Sequence, residues 1–170
     1  QGNFKDNLFS GKGTFVYGMS SEKWSGDKYI GDFESGNRHG TGTYTQLNGV
    51  TYVGEWRHGD ESYGTLYLGN GEKYVGEFWD RKAEGEGEYT YPDGRSYIGN
   101  FKDNRKHGKG VFIHEDGSKY DGDWKYGEKH GVATFTFADG KVIKGTWIKG
   151  KFDEFLDENL PKTSKKDENK

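Results

Sequence analysis

Three of the five histidines have the spacing that a ladder of metal ligands would need. His39, His107 and His130 each stand directly before a glycine, and the last two are 23 residues apart. If each 23-residue unit is a β-hairpin, successive histidines are separated by two strand spacings, about 10 Å. A single metal ion needs its nitrogen ligands at about 2 Å. We therefore predict that these side chains close loops and that the chain holds no metal and no cofactor.

Glycine triplets suggest a second chemistry, a phosphate-binding loop. Segments such as Gly85-Glu86-Gly87 have the form Gly-x-Gly, but none continues as Gly-x-Gly-x-x-Gly and none opens a helical pattern. The sequence also contains no nucleophile elbow, no His-Glu-x-x-His and no Lys-Ser/Thr after a glycine loop. We therefore predict that the protein is not an enzyme.

The composition narrows the class of protein further. The 170 residues include no cysteine, 31% are charged, 29% are hydrophobic and the net charge is -3. This balance lacks the basic excess of a nucleic-acid binder, and no apolar run approaches the roughly 20 residues of a membrane span. Aromatic residues make up 16% of the chain, which argues against disorder. We expect a folded cytoplasmic protein, and because the chain opens with Gln1, we expect it to start inside a longer one.

A tandem repeat explains both the glycines and the aromatic residues. The pattern Tyr-x-Gly-x-aromatic recurs every 23 residues, with one step of 22. If the tyrosine is position 1, glycines fall at positions 3, 12, 14 and 21, and aromatic residues at positions 5 and 16, as in the unit that begins at Tyr97. The opening tyrosines are Tyr29, Tyr52, Tyr74, Tyr97 and Tyr120. Residues 2–7 are identical to residues 99–104, so the first unit is predicted to lack its opening residues.

Period-two alternation predicts two strands in each unit. Positions 1, 3 and 5 share one face, as do positions 12, 14 and 16. An antiparallel pairing of position 5 with position 12, across a six-residue connection, puts glycine 3 opposite glycine 14 and tyrosine 1 opposite aromatic 16. Between units we predict a type I turn with a glycine bulge, as at Asp116-Gly117. The predicted fold is all-β: an elongated, single-layer, twisted antiparallel sheet of tandem 23-residue hairpins, with about thirteen strands.

This register stacks the glycines into a floor between rows of aromatic rings. We predict that the ring face is uncovered in the isolated chain and forms a groove for an amphipathic helix or an extended segment of a partner protein. Self-association through the same face is a further expectation. The predicted groove rings are Tyr29, Phe33, Tyr52, Trp56, Tyr74, Phe78, Tyr97, Phe101, Tyr120 and Trp124, and the predicted floor is Gly31, Gly42, Gly54, Gly76, Gly87, Gly99, Gly110 and Gly122.

The repeat pattern resembles the MORN repeat, named for membrane occupation and recognition nexus. The resemblance covers roughly Gly2 to Gly150, about six and a half units, and it rests on Tyr-x-Gly-x-Trp/Phe, Gly-x-Gly-x-aromatic and Asp/Asn-Gly. Three departures are evident. The unit from Tyr52 is one residue short and lacks the glycine at position 12, Ala133 replaces a floor glycine, and Ile143 replaces a tyrosine.

The resemblance implies a scaffold rather than a catalyst. MORN arrays are similar in role to radial-spoke subunits of cilia, cytoskeletal organisers, partners of myosin tails and junctional membrane tethers. It implies a location at the cytoskeleton or the ciliary axoneme, or at a membrane face. Two alternatives stay open: a tether for anionic lipid that uses Arg105, Lys106 and Lys129, and an accessory array of a larger catalytic protein.

Two segments interrupt the repeat pattern. Residues 18–28 form an inserted loop whose Trp24 either packs on the sheet or anchors a partner. After Lys151, apolar residues at 152, 155, 156 and 160 have helical spacing and predict a short helix over 151–160 that caps the last strand. The charged residues 161–170 are predicted to be disordered.

Overall fold

Residues 2–18 and 26–156 are described by the structure, a computed structural model. Within these ranges the chain forms fourteen strands in one antiparallel sheet, and the order of the strands follows the sequence. The strands are β1 (Gly2–Lys5), β2 (Leu8–Val16), β3 (Lys28–Glu34), β4 (Asn37–Thr45), β5 (Thr51–Arg57), β6 (Asp60–Tyr67), β7 (Lys73–Trp79), β8 (Lys82–Thr90), β9 (Ser96–Lys102), β10 (Arg105–Ile113), β11 (Lys119–Lys125), β12 (Glu128–Thr136), β13 (Val142–Ile148) and β14 (Lys151–Phe155). The predicted single layer of hairpins is confirmed, with one strand more than expected.

The turn inside a repeat is much shorter than the six-residue connection that we predicted. Lys102 of β9 pairs with Arg105 of β10, which leaves only Asp103 and Asn104 in the turn. Both turn residues have left-handed φ angles, 48° and 63°. Two consecutive residues with positive φ match the twist of the flanking strands, as in a type I′ hairpin. The strands therefore continue into the segment that we had interpreted as a loop.

The turn between repeats follows the prediction. Between β10 and β11, the Gly117 amide donates to the His114 carbonyl at 3.0 Å, and the His114 amide donates to the Ser118 carbonyl at 2.8 Å. The φ angle of Gly117 is 82°, a conformation that glycine adopts without steric cost. This is the type I turn with a glycine bulge that the Asp-Gly pairs predict.

The strand register confirms the predicted glycine floor and corrects one predicted pairing. Gly99 pairs with Gly110, and Tyr97 pairs with Phe112, as predicted. Phe101 at position 5, however, pairs with Lys106 rather than with Gly108, because a bulge interrupts the ladder between Lys106 and Gly110. Position 12 instead meets position 5 of the next repeat, as in the pairing of Gly108 with Trp124.

The predicted helix over residues 151–160 is wrong for its first half. Residues 151–155 form β14, in which Phe152 pairs with Trp147 of β13. The two rings pack edge to face at 5.1 Å, so β14 continues the row of rings and also satisfies the backbone edge of β13. Residues 157–160, the predicted disordered residues 161–170, and Trp24 lie outside the described residues.

The core is a row of aromatic side chains on one face of this single sheet. Four tyrosines at position 1 are the largest fully buried side chains: Tyr29, Tyr74, Tyr97 and Tyr120. Each lies across glycines of the floor. A Cβ on Gly87 would come within 2.5 Å of Cε2 of Tyr74 and within 2.6 Å of its hydroxyl. The ring therefore occupies the volume that a side chain on Gly87 would need, whereas Ala133 holds position 14 in the repeat that begins at Tyr120.

Replacing Gly87 by alanine tests this contact. The added methyl group collides with the Tyr74 ring, so we expect Gly87→Ala to lower the free energy of unfolding by about 1–3 kcal/mol, as overpacking does. Gly69→Ala is the matched control, because the nearest atom to a Cβ there is 3.5 Å away. Urea unfolding of both variants measures the difference, and an equal midpoint for the two would contradict the packing described here.

Candidate functional site

The ring face is closed by its own side chains. Tyr97 packs edge to face against Phe101 of its own repeat at 5.1 Å and against Trp124 of the next repeat at 5.2 Å. Tyr29, Tyr97 and Tyr120 are 0% exposed, and Trp124 is 5% exposed. Each repeat spans two strand spacings, about 10 Å, and contributes two rings to the row. Successive rings therefore meet edge to face and bury one another. The prediction that this face is uncovered in the isolated chain is therefore wrong.

The hydroxyl and indole N–H groups of these rings form hydrogen bonds with the backbone near the bulges. Each tyrosine at position 1 donates its hydroxyl hydrogen to the carbonyl three residues later. The acceptors and distances are Asp32 at 2.9 Å for Tyr29, Glu55 at 2.8 Å for Tyr52, Glu77 at 2.9 Å for Tyr74, Asn100 at 2.9 Å for Tyr97 and Asp123 at 2.8 Å for Tyr120. The indole nitrogens of Trp56 and Trp124 donate to the carbonyls of Gly42 and Gly110 at 3.2 and 3.0 Å. The ring row therefore fixes the strand register.

In three repeats a cation at position 10, Arg38, Lys106 or Lys129, lies over this row. This position is paired with the ring at position 5 in each hairpin. The Arg38 guanidinium lies 4.1 Å from the Trp56 ring centroid, and the Lys106 ammonium lies 4.4 Å from that of Phe112. The signal in the sequence was a constant spacing, nine residues after the opening tyrosine. From the sequence, Lys106 was predicted only as a candidate contact for anionic lipid.

The three residues predicted for anionic contact do not lie together. Lys106 and Lys129 contact the rings, with the Lys129 ammonium 4.9 Å from the Tyr120 centroid. Arg105 is exposed and pairs with Lys102 beside the two-residue turn. The structure therefore separates Arg105 from the other two.

The opposite face of the sheet carries an open groove. A cavity of about 870 Å³ is lined by Gly31, Gly42, Gly54 and Gly64 and by the side chains beside them. The groove continues along the array as a second cavity of about 440 Å³ that includes Gly76, Gly87 and Gly99. Side chains at positions 3 and 14 would point toward the rings, so backbone alone forms the floor of this groove. The same glycines that accept the tyrosine rings thus form the floor of a surface behind them.

One wall of the groove is mainly β-branched, although it includes Glu88 between Val75 and Ile98. It consists of positions 2 and 15, which alternate across the strands, as in the pairing of Val53 with Thr43 and Thr65. Ile30, Val53 and Ile98 on this wall are 47%, 43% and 51% exposed. The glycines leave room beside these side chains, so a partner can reach their apolar surface.

The other wall, at positions 4 and 13, is mainly acidic in the middle of the array. Glu55, Glu77 and Glu86 follow one another there, with Tyr63 between the first two. Toward the ends, salt bridges neutralise the acids, with Lys12 bound to Asp32 at 2.9 Å and Lys109 bound to Asp123 at 2.8 Å. The central groove therefore has a mainly β-branched wall, interrupted by Glu88, and a negatively charged wall.

Other chemistry is sparse on the described part of the chain. No group of three or more His, Asp or Glu side chains within residues 2–18 and 26–156 could hold a metal ion. His39 instead lies 3.4 Å from Glu34 and stacks on His58 at 5.7 Å. In the same ranges no helix is long and apolar enough to cross a membrane.

Repeat geometry and pattern together define the class of protein. The MORN repeat family matches residues 1–21, 29–51, 52–73, 74–94, 97–119 and 120–142. The chain therefore belongs to the MORN repeat family, as the resemblance of its sequence indicated.

Two solved structures are similar to this chain at low sequence identity. The TCP domain of SAS-4 (dCPAP) from Drosophila melanogaster, in complex with a proline-rich motif of Ana2 (dSTIL), is 12% identical, with a TM-score of 0.43 over 79% of this chain and 82% of that one. The G-box domain of the microcephaly protein CPAP is 15% identical, with a TM-score of 0.37 over 84% of this chain and 97% of that one. No curated protein matches the chain. The functional inferences below therefore rest on the chain's own residues.

Removing one tyrosine hydroxyl tests the role of the ring tips. In Tyr97→Phe the carbonyl of Asn100 loses its donor inside a buried contact, so we expect a loss of about 1–2 kcal/mol in the free energy of unfolding. Tyr63→Phe is the control, because Tyr63 is 51% exposed on the opposite face and its change should stay below about 0.5 kcal/mol. Chemical denaturation measures both stabilities. Equal stability of Tyr97→Phe and the parent would show that the hydroxyl hydrogen bond does not stabilise the fold.

Alkaline pH should unfold the protein through the same tyrosines. Burial raises the pKa of Tyr29 and of Tyr120 from 10 to about 12. Between these values the unfolded chain has lost protons that the folded chain retains, so stability is intact below pH 10 and falls as the pH rises toward 12. Urea midpoints at pH 9, 10.5 and 11.5 measure the slope. The Tyr29→Phe/Tyr120→Phe variant should show a smaller slope, and a midpoint independent of pH in the parent would contradict the prediction.

Proposed function

We propose that this protein is a non-catalytic scaffold that binds an amphipathic segment of a partner protein along the glycine-floored groove. The observation that carries the proposal is the pair of unlike walls, one mainly β-branched and one acidic in the middle of the array, on the face opposite the buried rings. A partner that fits has a row of apolar side chains with basic side chains along one flank. Either a helix or an extended segment can present such a pattern.

The buried ring row supports this function by making the groove rigid. The tyrosine hydroxyl bonds and the edge-to-face contacts recur in successive repeats. A surface that is ordered before binding loses little conformational entropy when the partner docks. The partner's apolar side chains then gain the full benefit of covering Ile30, Val53 and Ile98.

The charge on the groove favours a protein partner over a lipid surface. Glu55, Glu77 and Glu86 would repel an anionic membrane laid on this face. The membership of the chain in the MORN family and its regular array of repeats are consistent with a place in a cytoskeletal or ciliary assembly. That location, like the identity of the partner, is part of the proposal.

A pair of designed peptides tests the groove. The first is an amphipathic peptide with leucine at i, i+3, i+4 and i+7 and lysine along one flank, and its twin carries glutamate in place of lysine. We expect the basic peptide to bind at least about tenfold more tightly than the acidic twin, since opposite charges line the central wall. Fluorescence anisotropy at low salt measures both affinities, and tighter binding of the acidic twin would contradict the proposed charge of the partner.

Matched variants locate the binding face. In Val53→Lys/Ile98→Lys the new ammonium groups project into the groove, so the basic peptide should bind at least about tenfold more weakly while the melting temperature stays close to that of the parent. Leu47→Lys/Tyr126→Lys is the control, because both residues are exposed in turns. Phe101→Ala/Trp124→Ala, which truncates buried rings, should mainly lower stability. The proposal would be contradicted if Val53→Lys/Ile98→Lys still bound the peptide while a folded Phe101→Ala/Trp124→Ala did not. That result would place the binding site on the ring face.

A further inference from the structure

Charge balance at position 10 differs between the two halves of the array. In the first half, Arg38 and Glu61 are opposite in charge and line one cavity of about 190 Å³. Arg38 also donates a hydrogen bond from Nη2 to the Gly59 carbonyl at 2.6 Å. The cation there has both a hydrogen-bond acceptor and a carboxylate nearby.

In the second half, position 10 holds two lysines with no such compensation. Lys106 touches only rings at its ammonium group, those of Tyr91, Tyr97, Phe112 and Trp124. The Lys129 ammonium lies 3.3 Å from Nε2 of His114. Neither lysine forms a salt bridge with any carboxylate in the part of the chain that the structure describes.

Burial disfavours the charged form of both ammonium groups, and nearby positive charge adds to this at Lys106. Burial, together with repulsion from Arg95 and Lys129, lowers the pKa of Lys106 to about 8. Burial lowers the pKa of Lys129 as well. An anion bound beside the two lysines would offset both penalties, because an opposite charge at short range favours the protonated amine.

The space for such an anion is an open cavity of about 730 Å³ beside Lys129. Arg95, His114, Ser118 and Phe135 line it, with Glu115 and Asp116 among the lining residues. Arg95 is already in a salt bridge with Asp93 at 2.7 Å. It therefore contributes hydrogen-bond donors to the cavity more than an unpaired positive charge. Lys129 lines this cavity without a salt-bridge partner among the described residues, whereas Lys106 is not among the lining residues and lies on the Phe112 ring, which packs against His114.

We propose that Lys106 and Lys129, together with Arg95 and His114, bind a phosphorylated side chain of a partner protein. A phosphomonoester carries a charge of about −1.5 to −2 at neutral pH, which matches two uncompensated ammonium groups. Phe135, which lines the cavity and packs on His114 at 5.9 Å, supplies apolar surface for the rest of that side chain. The site lies on the ring face and is independent of the groove.

A discrete phosphate suits this site better than a membrane does. The lysine ammonium groups are packed among rings, and Asp93, Glu115 and Asp116 stand around the cavity. A plane of anionic headgroups would bring many charges against these acids, whereas one phosphoryl group can reach the lysines alone.

The test compares a short uncharged peptide containing one phosphotyrosine with its unphosphorylated form, using the full chain. We expect binding of the phosphorylated form only, and a loss of at least about tenfold in affinity in Lys106→Gln/Lys129→Gln, since charge-assisted hydrogen bonds are removed. Lys102→Gln/Lys125→Gln makes the same charge change at exposed positions of the same two repeats and should alter affinity less than about twofold. Isothermal titration at constant ionic strength gives the affinities.

Three results would overturn the proposal. The first is equal binding of the two peptide forms, or no binding of either. The second is an equal loss of affinity in the two lysine pairs, which would mean that only the net charge matters. The third is binding of vesicles containing phosphatidylserine, lost in Lys106→Gln/Lys129→Gln, without binding of the peptide. The single variant Lys129→Gln repeats the measurement if the double variant has an altered melting curve, and unchanged binding of the basic amphipathic peptide shows that the groove is intact.

Discussion

The rest of the structure depends on a tyrosine ring lying over two glycines. Tyr74 fills the space in which a side chain on Gly87 would stand, and its hydroxyl hydrogen reaches the carbonyl of Glu77 at 2.9 Å. The ring thereby buries itself and satisfies a backbone acceptor at the bulge. A single-layer sheet has no second layer to cover its apolar face, and this contact, repeated along the array, replaces that layer.

The same contact makes the two faces of the sheet functionally unequal. On one side most rings at positions 1 and 5 are buried, and the cations of Arg38 and Lys129 lie over them. On the other side the glycines expose backbone between a β-branched wall and a charged wall. Since each glycine serves both faces, replacing one for the sake of the groove would also disturb the ring that lies behind it.

The sequence predicted the elements whose cause is local and repeated. Alternation of Tyr97, Gly99 and Phe101 indicated a strand, and Asp116-Gly117 indicated its turn. It could not show that the rings cover one another, because that depends on centroid distances of about 5 Å set by strand spacing and bulges. The face predicted to be an open groove is therefore filled by its own rings, and the partner groove that we propose lies on the opposite face. The spacing of Phe152 and Phe155 fits a helix as well as a strand. The strand forms because the edge of the sheet beside Trp147 is otherwise unpaired and Phe152 packs on that ring.

Position 10 shows how a uniform scaffold carries different chemistry along its length. The backbone pairing of this position with position 5 is the same for Arg38, Glu61, Ala83, Lys106 and Lys129. The tyrosine and glycine contacts fix the strands, so the side chain at position 10 is free to vary in charge and size without altering the fold. In a repeat array each unit contacts only its neighbours, and such a change therefore acts locally. An uncompensated pair of lysines in adjacent repeats is for this reason better explained by a ligand than by a need of the fold.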